Sequence, residues 1–399
     1  MNQVHICLLS GQLLPNLIPI LMVRPSRVYL VVSREIQQSG RDKRMKRILR
    51  KEGIEVRLRP RAPSTGFEAI RDFATKLANE LISAESGNLI VLNATGGTKL
   101  LSMGFVEIFR STLEGYPLRV IYTDTEHRMI ETLVPRGQAP VPMRGVLDAD
   151  SYLAAQGKVL ISAESDTRRW QEDTQDRAPL TRFLAGNCAQ LVDFFGIING
   201  MVNSKTGALS KNSGNLVRPE QKFPYTPKGI LVRKTLNRIA DVGLVNWDGA
   251  QSIRFKSVGA ARYLGGHWLE EYAWLSAQAA GLQDARCSAK IRSDSHSGRD
   301  APINELDLVA VHDNRFLIVE CKTGKWDASG QQGQYTAMRL ESLARNAGGL
   351  LREGLLISVK ELESTTKRRC EDLGLATLEQ GSITKLQSRL EAWRDNVNH

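Results

Sequence analysis

Asn304-Glu305-Leu306-Asp307-Leu308-Val309-Ala310-Val311-His312-Asp313-Asn314-Arg315-Phe316-Leu317-Ile318-Val319-Glu320-Cys321-Lys322 is the stretch on which the reading of this chain turns. Two apolar runs flank Asp313-Asn314, a pair suited to the central positions of a two-residue β-hairpin. Counting outward from that turn sets Val311 opposite Phe316, Val309 opposite Ile318 and Asp307 opposite Glu320. Directly opposed residues share a sheet face, so two carboxylates stand side by side, and like charges there are destabilising. A divalent cation compensates naturally. Lys322, two residues after Glu320, points to the same face. Acidic oxygens around Mg²⁺ or Mn²⁺ with an ammonium group beside them suit phosphodiester hydrolysis, in which the metal activates a water and offsets charge on the attacked phosphate. The same register puts Glu305 opposite Lys322. A plain ion pair between those two would explain the lysine but not acid against acid.

Outward from the hairpin, Gly265-Gly266 opens a predicted helix from His267 to about Ala280, and Trp268-Leu269-Glu270-Glu271-Tyr272 offers Glu270 as a third acid. Two solvated glutamates favoured by the helix dipole are the alternative for that pair. A helix around Tyr335–Arg345, a strand at Leu355–Val359 and a C-terminal helix complete a region spanning 261–399.

The N-terminal third alternates short β-branched runs (Val4–Leu9, Val28–Ser33, Ile54–Leu58, Leu89–Leu92, Leu118–Tyr122) with helical patterns, the clearest at Phe67, Ile70, Phe73, Leu77 and Leu81. Continuous apolar strands between amphipathic helices predict a parallel sheet covered on both faces, a Rossmann-like domain over 1–138. Asn93-Ala94-Thr95-Gly96-Gly97-Thr98-Lys99 joins a strand to a helix, and such a turn presents free N–H groups to an anion. Neither GxxxxGK[ST] nor GxGxxG occurs, which removes support for ATP hydrolysis and dinucleotide redox chemistry. Ser10, Gly11 and Gln12, then Ser33, then Thr123 and Asp124 fall at other strand ends, the edge where open α/β sheets take ligands. Ordinary turn chemistry would also place such residues there.

Between these regions, 139–260 reads as a polar connector from about Glu164 to Arg177 followed by a helix at Val232–Val242 and a hairpin turning at Asp248-Gly249, a winged-helix-like unit. Lys222, Lys228, Arg233 and Lys234 would suit nucleic acid. A spacer between the outer domains is the plainer alternative.

Composition agrees with a polyanionic partner: the formal net charge is +11 over 399 residues. The five cysteines have no paired spacing, which argues against a structural zinc site or disulfide framework and fits a reducing cytoplasm. The apolar N-terminus lacks a basic n-region and is interrupted by Gln12, Pro15, Asn16 and Pro19, so neither a signal peptide nor a membrane span is expected.

Asp307 with Glu320-Cys321-Lys322 resembles the PD-(D/E)xK, restriction-endonuclease-like nucleases, although no proline precedes Asp307. Taken with Ser10-Gly11-Gln12, Pro15-Asn16, the Asn93–Lys99 turn, Trp268–Glu271, Arg339-Leu340-Glu341-Ser342-Leu343 and Gly348-Gly349, the whole chain resembles the CARF-domain (CRISPR-associated Rossmann fold) nucleases of type III CRISPR systems. That resemblance implies a homodimer with a cyclic oligoadenylate activator, cyclic tetra-adenylate above all, lying across the paired CARF domains. It implies Mg²⁺ or Mn²⁺ on Asp307, Glu320 and Glu270, with Lys322 completing the catalytic set. Single-stranded DNA, RNA or duplex DNA would be cut in antiviral defence. Gln12, Ser33, Asn93, Thr95, Gly96, Gly97, Thr98, Lys99 and Met103 become the candidate activator contacts. Two competing readings are a ligand-responsive DNA-binding regulator with an inert nuclease-like domain and a ligand-independent restriction or repair nuclease.

Overall fold

A computed structural model describes residues 2–295, 302–324 and 331–395. The N-terminal sheet is built from β1 (Gln3–Leu8), β2 (Arg27–Val32), β3 (Glu55–Pro60), β4 (Leu89–Asn93), β5 (Leu118–Asp124), β6 (Met129–Val134) and β7 (Val141–Pro142). Their spatial order is β3-β2-β1-β4-β5-β6-β7, parallel through β5 and antiparallel from β6 onward. The inner strands β1, β2 and β4 are largely apolar because both faces are covered, whereas the edge strand β3 carries Glu55, Arg57 and Arg59. Helices α1 (Leu14–Val23) and α3 (Arg41–Lys51) pack on Cys7, Leu9 and Leu30, the short α2 (Arg34–Gln38) leading into α3. Helices α4 (Phe67–Ala84) and α5 (Lys99–Thr112) pack on Ile6, Leu8 and Val31. Both β2 and β4 pair with β1, so strand order reverses there, and a crevice opens at the carboxyl ends of β1 and β4.

Helix α6 (Ala149–Ala155) and strand β8 (Lys158–Ser162) follow, then α7 (Arg168–Gly186) and α8 (Val192–Asn203). The polar stretch expected to be a connector is largely helix. Trp170, Thr174, Ala178 and Thr181 recur at helical spacing, a stripe of mostly small or polar residues that hydropathy does not flag. The central unit comprises β9 (Glu220–Lys222), α9 (Ile230–Asp241), β10 (Val245–Asn246), β11 (Ser252–Phe255) and α10 (Val258–Arg262). The expected helix and hairpin are present, and β9 adds a third antiparallel strand in the order β10-β11-β9.

The C-terminal part contributes α11 (Trp268–Ala279), β12 (Asp284–Ser293), β13 (Ile303–His312), β14 (Arg315–Lys322), α12 (Gln331–Gly348), β15 (Arg352–Ser358), α13 (Ser364–Asp372), β16 (Ala376–Glu379) and α14 (Leu386–Asp395). Its six-stranded sheet runs β16-β15-β14-β13-β12-β8. The edge strand β8 thus comes from the segment expected to link the outer domains. One face carries α11 and α14, through Leu269, Ala273 and Leu390. The other carries α12 and α6, through Leu340 and Leu153.

The two sheets share a seam. Residues of α1 and α3, then Tyr152 and Leu153, then Val309, Val311, Phe316 and Ile318 form one continuous apolar cluster. Tyr152 stacks on Phe316 at 4.8 Å between centroids, and its hydroxyl donates to the Gly348 carbonyl at 2.7 Å. Arg44 of α3 grips Asp294 with two 2.8 Å bonds. The hairpin tip docks on the first domain as well. Arg128 donates to the Asp313 carboxylate at 2.9 Å, while Asn314 Oδ1 accepts from the Val146 and Leu147 N–H groups. Among the described residues no helix is long and apolar enough to cross a membrane.

Candidate active site and ligand cleft

The hairpin forms with the expected register: Val311 pairs with Phe316 and Val309 with Ile318. Asp313 and Asn314 have φ of 53° and 61°, the left-handed pair that a two-residue turn of this kind requires. The ladder ends at Leu308–Val319, one step short of the acids. Here Asp307 Oδ2 accepts from the Cys321 N–H at 2.7 Å instead.

The strands change faces at this point. Leu308 belongs to the core beneath α11, whereas Leu306, two residues away, belongs to the core on the other side. A regular strand would keep both on one face. On β12 the same exchange separates Cys287 from Ala289, with Ser288 between them at φ 49°. An irregularity in both strands therefore lets Asp307 meet groups from α11 as well as from β14. Period-two counting from the hairpin does not foresee it.

Glu320 is buried, and its Oε1 accepts from Lys322 Nζ at 2.5 Å and from Arg339 at 3.1 Å. Of the two glutamates on α11, Glu271 is paired with Arg177 at 2.6 Å. Glu270 instead accepts from Ser288 at 2.8 Å and lies 3.7 Å from His267. Burial, with the charges of Glu320 and Glu270, holds the Asp307 carboxyl well above the usual carboxylate range. Burial does the same to Glu270, with Glu305 adding to the rise. Burial alone would depress the Lys322 ammonium, but Glu320 and Asp307 outweigh it and keep the group protonated above its ordinary range. Lys322 pairs with Glu320, not with Glu305, whose cross-strand neighbour is Lys290.

Asp307, Glu320, Lys322 and Glu270 are thus brought into one electrostatic cluster. Among the described residues, no three His, Cys, Asp or Glu side chains are arranged to enclose a metal ion by themselves. The donor chemistry nonetheless fits a hard cation. Two buried carboxylates are strained by desolvation and mutual repulsion, and the cations nearby, Lys322 and Arg339, are bound to Glu320. The sequence offers Arg339 within the Arg339–Leu343 motif as a possible phosphate contact, but not its bond to Glu320. Beside the acids, a cavity of about 360 Å³ is lined by Arg177, Arg262, Tyr263, His267 and Glu271. A larger one, about 1010 Å³, lies between α7 and the start of β12, around Asp166, Trp274 and Arg286, and none of the four lines either cavity.

In the first domain, the Asn93–Lys99 turn sits at the crevice. Asn93 is buried: its amide donates to the Pro15 carbonyl at 2.9 Å, and its Oδ1 accepts from the Thr95 N–H and hydroxyl. Thr95 Oγ1 in turn accepts from the Thr123 N–H. These two residues hold the turn's shape. Gly96 lies so close to β1 that a Cβ would stand 1.9 Å from the Leu8 carbonyl oxygen, and Gly97 has φ 79°. Thr98 caps α5 by accepting from the Leu101 N–H, leaving Lys99 and Met103 exposed at the rim. Gln12 and Ser33 stand at the ends of β1 and β2 on the same edge, and the Gly11 carbonyl accepts from Arg41 at 3.0 Å. Next to Ser33 a cavity of about 650 Å³ is lined by Arg34, Glu35, Arg61 and Ser64; its two arginines were missed in the sequence, although both stand within two residues of a strand end.

Residues 4–152 match the Card1 CARF domain family, and residues 258–397 match the Card1-like endonuclease domain family. The chain therefore joins a Card1-type CARF domain to a Card1-like endonuclease domain. Solved structures share its fold. Protein VC1899 from Vibrio cholerae superposes with a TM-score of 0.82 at 19% identity, covering 99% of both chains. Can2 from Sulfobacillus thermosulfidooxidans, solved with cyclic tetra-adenylate, superposes with a TM-score of 0.72 at 20% identity over 98% of this chain and 97% of its own. A type III CRISPR defence DNA nuclease activated by cyclic oligoadenylate gives 0.55 at 17% identity, with 98% of this CARF endonuclease matching 52% of that chain. No curated protein is detectably similar in sequence.

Proposed function

We propose that this CARF endonuclease is a cyclic-oligoadenylate-gated, metal-dependent phosphodiesterase that cuts nucleic acid in type III CRISPR defence. The observation that carries the reading is the buried cluster of Asp307, Glu270, Glu320 and Lys322 within an endonuclease-type domain. Mg²⁺ or Mn²⁺ would be held by Asp307 and Glu270 with Glu320. When bound, such an ion activates water and stabilises charge on the phosphate. Lys322, kept protonated by its acidic neighbours, is suited to orient a water or donate to a phosphate oxygen and unsuited to act as a base. Arg339, 39% exposed and anchored on Glu320, can reach a substrate phosphate.

The activator would sit at the β1/β4 crevice. The free N–H groups of the turn and the exposed Lys99 favour an anion there. Can2's complex with cyclic tetra-adenylate makes that ring the first activator to test. Gln12, Ser33, Thr98, Lys99 and Met103 would touch the ring directly, with Asn93, Thr95, Gly96 and Gly97 forming the seat. The exposed apolar Leu100 and Met103 at the rim support a second copy closing over the ligand, and a ring with rotational symmetry suits a twofold pair.

The direct test incubates labelled single-stranded DNA, RNA and plasmid with Mn²⁺, with and without each cyclic oligoadenylate. Activator-dependent cutting that EDTA stops is the expected result. Cutting indifferent to every ring would leave a ligand-independent nuclease. Metal-free, sequence-specific DNA binding without cutting would favour a regulator.

A further inference from the structure

The central unit is one of two strongly basic stretches of this chain, residues 24–61 being the other. Residues 205–262 hold eleven lysines and arginines against three acids, a net +8 of the chain's +11. Among the described residues none of these eleven forms an ion pair, whereas in the other basic stretch Arg24, Arg27, Arg44, Arg47, Arg57 and Arg59 all pair with Asp or Glu. An unneutralised basic surface of this size calls for a polyanion.

The shape of the surface narrows the polyanion. Helix α9 buries Thr235, Leu236 and Ile239 and turns Ile230, Lys234 and Asn237 outward. Ile230, at its first turn, is 89% exposed. Lys228 precedes it, and Tyr225, 60% exposed, lies three residues further back. A helix presented with its amino end outward, beside a small antiparallel hairpin, has the dimensions of the B-DNA major groove. The major groove of A-form RNA is too narrow to admit it.

The unit is also locked to the site. Its Leu236, Ile239, Ile253 and Phe255 share one apolar core with Trp268 and Leu269 of α11, and its α10 runs directly on to Gly265, whose carbonyl accepts from Asn199 and Asn203 of the neighbouring α8 at 2.7 and 3.2 Å. Gly265 is the turn that delivers His267 and Glu270, so whatever the central unit grips is held in fixed relation to the acids.

We infer that the winged-helix-like unit is the docking surface for duplex DNA, with α9 in the major groove. The inference deepens the nuclease reading above and rests on it only for the claim that the docked duplex is the substrate. Binding can be measured apart from cutting, on full-length protein carrying Lys322→Ala in EDTA. Fluorescence anisotropy with a 30-base-pair duplex, a single-stranded DNA and a single-stranded RNA is followed across a salt series. Adding Lys222→Gln, Lys228→Gln and Lys234→Gln together should weaken duplex binding about tenfold or more and lower the salt slope by roughly 0.9 for each lysine that meets a phosphate. An unaltered thermal melt shows that the triple variant folds. In the otherwise native enzyme the same three changes should raise KM for a long duplex and leave cutting of a six-nucleotide oligomer unchanged. Duplex binding unaffected by the three changes overturns the inference, and so does preferential RNA binding. If Lys322→Ala still cuts while the lysine changes abolish duplex binding, the catalytic assignment falls and the docking surface stands.

Discussion

The cleft of the first domain and the acid cluster of the last are built on opposite principles. Around Asn93 and Thr95, polar groups are spent on one another: amide to carbonyl, hydroxyl to amide oxygen, N–H to hydroxyl. The turn is complete without a ligand, and what it offers outward is backbone N–H and Lys99. Around Asp307 the reverse holds. Two carboxylates are buried against their preference, and the cations within reach serve Glu320. Hydrogen bonding makes a seat; uncompensated charge makes a demand. The seat should fail through its shape, and the cluster through its charge.

The sharpest way to break the comparison is at the cluster. Lys322→Ala should lower Mn²⁺-supported plasmid cutting on the order of a thousandfold, with cyclic tetra-adenylate binding by calorimetry unchanged. Equal loss of binding would show that the two regions are not independent in this way. At the seat, Gly96→Ala forces a carbon into the Leu8 carbonyl. It should cost about 3 kcal/mol of stability, read as a lowered melting temperature, and abolish activator binding. Asn93→Ala should cost about 1–3 kcal/mol by stranding the groups it satisfies. Lys99→Ala, at the exposed rim, should leave the melt alone and weaken the activator in a salt-dependent manner. Metal supplies a subtler probe. Millimolar Mn²⁺ should raise the melting temperature of the native protein by a few degrees through mass action, and this gain should vanish in Asp307→Asn. The smallest effect is expected from Glu305→Gln, since Lys322 pairs with Glu320: cutting should change less than about twofold.

These regions also differ in how far the sequence discloses them. The hairpin is local, so alternation and a turn dipeptide set its register, and the parallel sheet shows itself in the apolar runs of its inner strands β1, β2 and β4. The exchange of faces at Ser288 and Asp307 is hidden because it depends on two strands deforming together. The choice of Glu270 over Glu271 rests on Arg177, ninety-four residues away in the chain. Helix α7 escapes notice because its buried stripe is made of Thr and Ala as much as of large apolar residues. The gripping of Glu320 by Arg339 is equally non-local: nothing in the spacing between β14 and α12 says that the guanidinium turns inward. Among the candidate ligand contacts, the residue types were legible but their division of labour was not. Asn93 and Thr95 face into the fold, and this follows from Pro15 and Thr123, which reach them from other loops.

The docked hairpin tip bears on how such a protein could be recombined. Asp313 and Asn314 are claimed by Arg128 and by the backbone of 144–147, while the far end of the same two strands carries Asp307 and Glu320. With the apolar seam beneath, this leaves no clean cleavage plane between detector and blade. A chimera that joins this blade to a foreign detector must import the Arg128 and 144–147 contacts too, or the hairpin loses its footing at the end remote from the chemistry.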